Sequence, residues 1–142
     1  MLVQTISAFF ATAAFSLIFS IPKKYIIHAG LTGGFGWFIY LFVMNLQEDK
    51  SLANLFATLF VALVSHVLAR IYKAPVTMFL IPGIIPMVPG AGMFHIVQSI
   101  LYNQHNSAIL YFFETFKMAG AIALGIFIVD TVFRVVKLKK TG

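Results

Sequence analysis

Apolar stretches of about twenty residues recur along this chain, with only a few polar residues between one and the next. A bilayer's hydrocarbon is about 30 Å thick, so a helix of roughly that length crosses it. The runs cover residues 2–21, 25–46, 51–69, 74–101 and 109–133. They predict an all-α integral membrane protein with about five transmembrane helices in a single transmembrane domain over residues 1–142. Composition agrees: 61% of residues are hydrophobic and 10% charged, against about 45–50% and 25% for soluble domains. Such a surface is stable in lipid rather than in water.

The punctuation between runs is too short to hold a soluble domain. It consists of Pro22-Lys23-Lys24, Gln47-Glu48-Asp49-Lys50, the stretch from Arg70 to Lys73, and that from Asn103 to Ser107. Residues 1–21 contain no Lys or Arg, whereas a secretory signal begins with positive charge, so the first span is expected to be retained.

Charge then orients the spans. If five alternate, Lys23, Lys24, Arg70, Lys73, Arg134, Lys137, Lys139 and Lys140 fall on one side, and Glu48, Asp49 and Lys50 with an uncharged fourth loop on the other. Cytoplasmic loops are rich in Lys and Arg, which places the N-terminus out and the C-terminus in, across the cytoplasmic membrane.

The net charge of +6 sits at the ends of apolar runs and forms no basic face, which argues against nucleic acid. With no cysteine there is no disulfide, thiol nucleophile or thiolate metal site. His28, His66, His95 and His105 have no metal-ligand spacing, so neither metal nor cofactor is expected. No Ser/His/Asp arrangement or mid-membrane carboxylate pair suggests an enzyme.

The most informative stretch is APVTMFLIPGIIPMVPGAGMFH, residues 74–95. Pro82, Pro86 and Pro89 lack an N–H, and each ring collides with the carbonyl four residues earlier, while Gly83, Gly90 and Gly92 tolerate unusual backbone angles. The fourth helix is therefore expected to break. Unpaired peptide groups at membrane depth persist only where protein buries them or a watery cavity receives them. In discontinuous transporter helices such groups face substrate charges: N-termini toward anions, carbonyls toward cations. Thr77 and the prolines and glycines of the break are thus candidate substrate-binding or translocation residues. The alternative is a kink that only shapes packing.

At this motif the chain resembles the threonine/serine exporter family, in the C-terminal half that some bacteria encode as a separate small subunit. The resemblance is carried by HAGLTGGFGWFIY in the second span, the turn from Ala69 to Pro75, FLIPGIIPMVPGAGMF, and AGAIALGIFIVD in the last span. It implies secondary export of small polar metabolites, with threonine and serine as the named substrates and dicarboxylates such as succinate for some split relatives. It also implies a larger partner resembling the family's N-terminal half, and an oligomer. A non-transporting scaffold that stabilises such a partner is the reading of a different class. No nucleotide-binding loop occurs in the chain, so an ion gradient would drive transport.

Ionisable residues inside spans cost about 2.5–3.5 kcal/mol each on insertion scales, so those retained are usually paired or functional. Glu114 and Lys117, at i and i+3, share a helix face where they can neutralise each other. Asp130 lies four residues before Arg134, a salt-bridge spacing. These three are the ion-coupling candidates. Gly30, Gly33 and Gly34 flatten one side of the second span, as helix packing requires. His28 and His66, near span ends, are expected to meet headgroups. Asn45 and Asn54 could join a cavity or bond between helices.

Overall fold

The apolar runs do form helices, and the polar punctuation ends them. The computed structural model describes residues 1–141. Its elements are α1 (Leu2–Ile18), α2 (Lys23–Gln47), α3 (Lys50–Tyr72), α4 (Thr77–Ile84), a 3-10 turn (Ile85–Met87), α5 (Gly90–Leu101) and α6 (His105–Thr141). There is no strand among the described residues.

Tight turns separate these elements. Ser20, Glu48, Lys73 and Asn103, just past the ends of α1, α2, α3 and α5, hold left-handed backbone with φ between 50° and 57°. That conformation closes a helix end and reverses the chain within a few residues, although only Asn suits it by side chain. Asp49 starts the next helix at once. Its Oδ1 accepts from the Ser51 N–H at 2.8 Å and the Leu52 N–H at 3.3 Å, supplying two of the acceptors that a helix N-terminus lacks.

By length and apolar character, α2, α3 and α6 are each able to cross a membrane, and α4 with α5 forms a fourth candidate, bent by 49° at its break. At 17 residues, α1 is the short one. Against the expected count of about five spans, the helices supply three straight candidates and one broken one, and α1, at the lower length limit, falls short of a fifth by this measure. Two boundaries differ from expectation. The last helix starts at His105 and runs through the basic tail to Thr141, because Leu, Lys and Arg favour helix beyond the point where hydropathy falls. The fourth segment starts at Thr77 because Pro75 cannot continue a helix and Lys73 has already turned.

The core is built by close approach. α1 and α2 form an antiparallel hairpin. A β-carbon on Gly33 would collide with Thr12, and one on Gly30 would lie 2.9 Å from the Phe9 ring; at Gly34 the clearance from Phe9 Cβ is 3.2 Å. Gly30, Gly33 and Gly34 therefore face α1 directly, where glycine lets backbones approach. The hydroxyls buried here satisfy themselves locally. Thr12, Ser16 and Thr32 donate to the carbonyls of Ala8, Thr12 and His28, each at 2.8 Å, which spares each the cost of an unpaired polar group in apolar surroundings.

α3 lies beside α2 and, in parallel, beside α6. Its buried stripe of Ala53, Asn54, Ala57, Thr58, Val61, Ala62, Ser65 and Ala69 recurs at helical spacing. α4 seats Phe79 against Tyr25, with ring centroids 5.5 Å apart. α5 pairs with α6, where Ser99 and Ala108 are buried.

Candidate functional site

The break begins inside α4. Pro82 removes the N–H that would reach the Met78 carbonyl, and the chain tightens into the 3-10 turn, where the Ile85 N–H reaches back to the Pro82 carbonyl. Pro86 occupies the first turn of this short helix, a position that needs no donor. Val88 then goes extended, at φ −59° and ψ 128°, and Pro89 starts α5. Three prolines thus end one helix, shape a tight turn and open another.

The turn is held at the centre of the bundle. Met87 is buried against Ala57, Val61 and Ile122, and the Thr58 hydroxyl lies 3.7 Å from its sulfur. A β-carbon on Gly36 would collide with Val61 and with the end of Met87, and one on Gly83 would lie 2.9 Å from Val61. Gly36 and Val61 stand near the midpoints of α2 and α3, so these contacts put the interruption near mid-depth.

Pro82 and Gly83 are buried, whereas Gly90 is exposed and a β-carbon there would meet nothing within 4 Å. Gly92 lies against Thr115 of α6. Among the described residues the N–H groups of Ala91 and Gly92 have no acceptor, and no side chain caps α5. The break therefore has a packed face, toward α2 and α3, and an open one at the start of α5.

Thr77 does not join it. It is the first residue of α4, exposed, and about 12 Å of helix separates it from Ile85. The grouping by sequence proximity fails because Thr77 opens the helix whose far end is broken. Asn54 is 1% exposed with an unpartnered Oδ1; Asn45 is exposed, at the end of α2.

The ion-coupling candidates separate into two places. Glu114 does not pair with Lys117. Its carboxylate lies 4.0 Å from Lys50, the first residue of α3. The parallel packing of α3 on α6 brings that cation to Glu114. Lys50, Glu114 and Lys117 line an open groove of about 780 Å³ with Glu48, Asp49 and Gly120. Both signs of charge face this groove, yet it lies away from the break.

Asp130 binds Arg134 at 2.8 Å through the expected i, i+4 spacing. It also faces His66 of α3, with Nε2 3.7 Å from Oδ1. The His66 side chain is 13% exposed and stacks on Phe133 with centroids 4.5 Å apart, while Arg70 lies 4.6 Å over the same ring. His66 thus turns inward, toward α6. His28 also does more than face headgroups, since its Nε2 is 2.7 Å from the Tyr72 hydroxyl. Residue spacing shows neither contact, because each joins two separate helices.

Apolar helices around an interrupted one define a polytopic α-helical membrane protein. The threonine/serine exporter (ThrE) family model matches residues 4–132, and the chain belongs to that family. No curated protein and no solved structure matches it.

Proposed function

We propose that this chain is the membrane subunit of a secondary transporter that exports threonine, serine or a similar small polar solute. The observation that carries the proposal is the interrupted helix at the centre of the bundle. It is locked by Met87, Gly83 and Gly36 on one side and open at Gly90 on the other. Peptide dipoles freed in apolar surroundings need a partner, and a zwitterion brings both charges that such dipoles accept. Pro82, Gly83 and Pro86 fix the break, and Pro89, Gly90 and Gly92 present its open face to the solute.

In this reading the chain is one domain with about five crossings, α1 included. It sits in the cytoplasmic membrane with its N-terminus out. The cationic ends at Lys23, Lys24, Arg70, Lys73 and the tail support that orientation. An ion gradient drives export, and Asp130, bridged between α3 and α6, is the better placed of the carboxylates to carry it. A larger subunit resembling the family's N-terminal half completes the pathway. The apolar faces of α5 and α6 outside their mutual contact give it, or a second copy, a surface to join.

Flux of labelled threonine, serine and succinate in proteoliposomes, with this chain alone and with the larger subunit, tests the proposal. Threonine or serine flux that needs the partner and is lost in Pro86→Ala supports it. Absence of flux for every solute in both preparations overturns it, and succinate flux alone replaces the substrate with a dicarboxylate.

A further inference from the structure

Thr115 breaks the rule that the other buried helix threonines of α1 and α2 follow. Thr12 and Thr32 donate to the carbonyl four residues back; Thr115 is 7% exposed, and its Oγ1 has no partner. A buried hydroxyl left unpaired is costly, so it needs a reason. What it faces is the first turn of α5, since a β-carbon on Gly92 would collide with that oxygen.

This turn is rich in donors and poor in acceptors. The Gly90 N–H is taken by the Val88 carbonyl at 2.7 Å, while those of Ala91 and Gly92 are free among the described residues. α5 has twelve residues, no side-chain cap and no acidic residue in its first turn. Its N-terminus carries the positive end of the helix dipole, where an anion is stabilised. The approach is open, because Gly90 is exposed and has no neighbour where its side chain would be.

We propose that the first turn of α5, together with Thr115, is a carboxylate-binding site. One carboxylate accepts from the Ala91 and Gly92 N–H groups and from the Thr115 hydroxyl. The site deepens the export reading and rests on it for the identity of the solute: the α-carboxylate of threonine or serine, or one end of a dicarboxylate. The Thr115 hydroxyl, nearer to Gly92 than its methyl is, stays enclosed between α5 and α6 until a carboxylate enters the turn. Gly92 is glycine because a side chain would displace that hydroxyl.

Hydrogen–deuterium exchange of the full chain in lipid nanodiscs tests the site independently of flux. Threonine or succinate should slow exchange at Ala91 and Gly92, and threoninol, which keeps the amine but lacks the carboxylate, should not. Which acid acts at lower concentration separates the two sources. Thr115→Val keeps the shape and should raise the half-saturating concentration about tenfold, with Thr115→Ser restoring it. Should Thr115→Val fail to insert, Gly90→Leu serves instead, since its side chain fills the open approach and should abolish the slowing.

No slowing by either acid up to its solubility limit overturns the site, as does equal slowing by threoninol or an unchanged response in both Thr115→Val and Gly90→Leu. Slowing without any flux upholds the site and sinks the transport reading alone; flux without slowing does the reverse.

Discussion

Around α1, α2 and α4, the glycines Gly33, Gly36 and Gly83 leave no room for a β-carbon, whereas Gly90 and Gly120, on α5 and α6, face open space. Hydroxyls divide in a similar way. Those on α1 and α2 bond within their own helices, while Thr115 on α6 stays unpaired. Close packing explains the glycines of the first region completely. In the second region it explains neither Gly90 nor Gly120, and no positive φ requires glycine there either. Where packing and backbone geometry demand nothing, something outside the chain becomes the better reason for a small residue.

The sharpest way to break this contrast is to add volume on both sides of it. Gly33→Val drives two methyls into Thr12 across two helices that cannot separate without losing their contact. Overpacking of this kind should cost about 3 kcal/mol or more. The variant should be recovered poorly in detergent and should melt far below the parent. Gly120→Ala should melt at the same temperature or slightly higher, since Ala favours helix over Gly by up to about 1 kcal/mol. Equal melting of Gly33→Val and the parent would mean that α1 does not pack on α2 as described.

A subtler test asks about function in the open region alone. Gly90→Ala adds one carbon that no protein atom touches, so thermal stability should be unchanged. If solute approaches this turn, transport should fall by about tenfold, the equivalent of about 1.4 kcal/mol. Full flux in a normally melting Gly90→Ala protein would return the open face of the break to lipid or to a partner subunit.

The two carboxylate sites differ in the same sense. Asp130 is held by Arg134 and faces His66 across the α3–α6 contact, whereas Glu114 is 60% exposed beside Lys50. Asp130→Asn should remove the acceleration of threonine flux by an imposed proton gradient, a loss of several fold. Glu114→Gln should keep most of it. Flux measured with and without the gradient decides, and an unaltered response in both variants would take both carboxylates out of ion coupling.

Much of this is legible in the sequence itself. Runs of apolar residues mark helices because lipid demands satisfied backbone, and Pro82, Pro86 and Pro89 mark the break because proline lacks an N–H. The pairing of helices was not readable. Glu114 has Lys117 at a plausible spacing, yet Lys50 reaches it from sixty-four residues away in sequence because α3 and α6 run parallel. Nor could the sequence single out Thr115. A threonine in a helix normally bonds its own backbone, and only the position of Gly92 shows that this one points elsewhere. Thr77 misled for the opposite reason, being close in sequence to the break and a helix length from it in space.

The smallest expected effect concerns Lys50 and Glu114 themselves. Their side chains are 57% and 60% exposed and 4.0 Å apart, so solvent screens the pair and two flexible side chains lose freedom to hold it. Exposed pairs of this kind contribute under about 1 kcal/mol. Lys50→Ala should therefore shift the melting temperature barely, and added salt should shrink even that difference. A large loss of stability would show that the groove between α3 and α6 closes around the pair in the membrane. Its two charges would then be desolvated, and breaking such a pair costs several kcal/mol by leaving one charge uncompensated. The groove would then belong with the tightly packed region rather than with the open one, and Glu114 would regain its claim to a part in coupling.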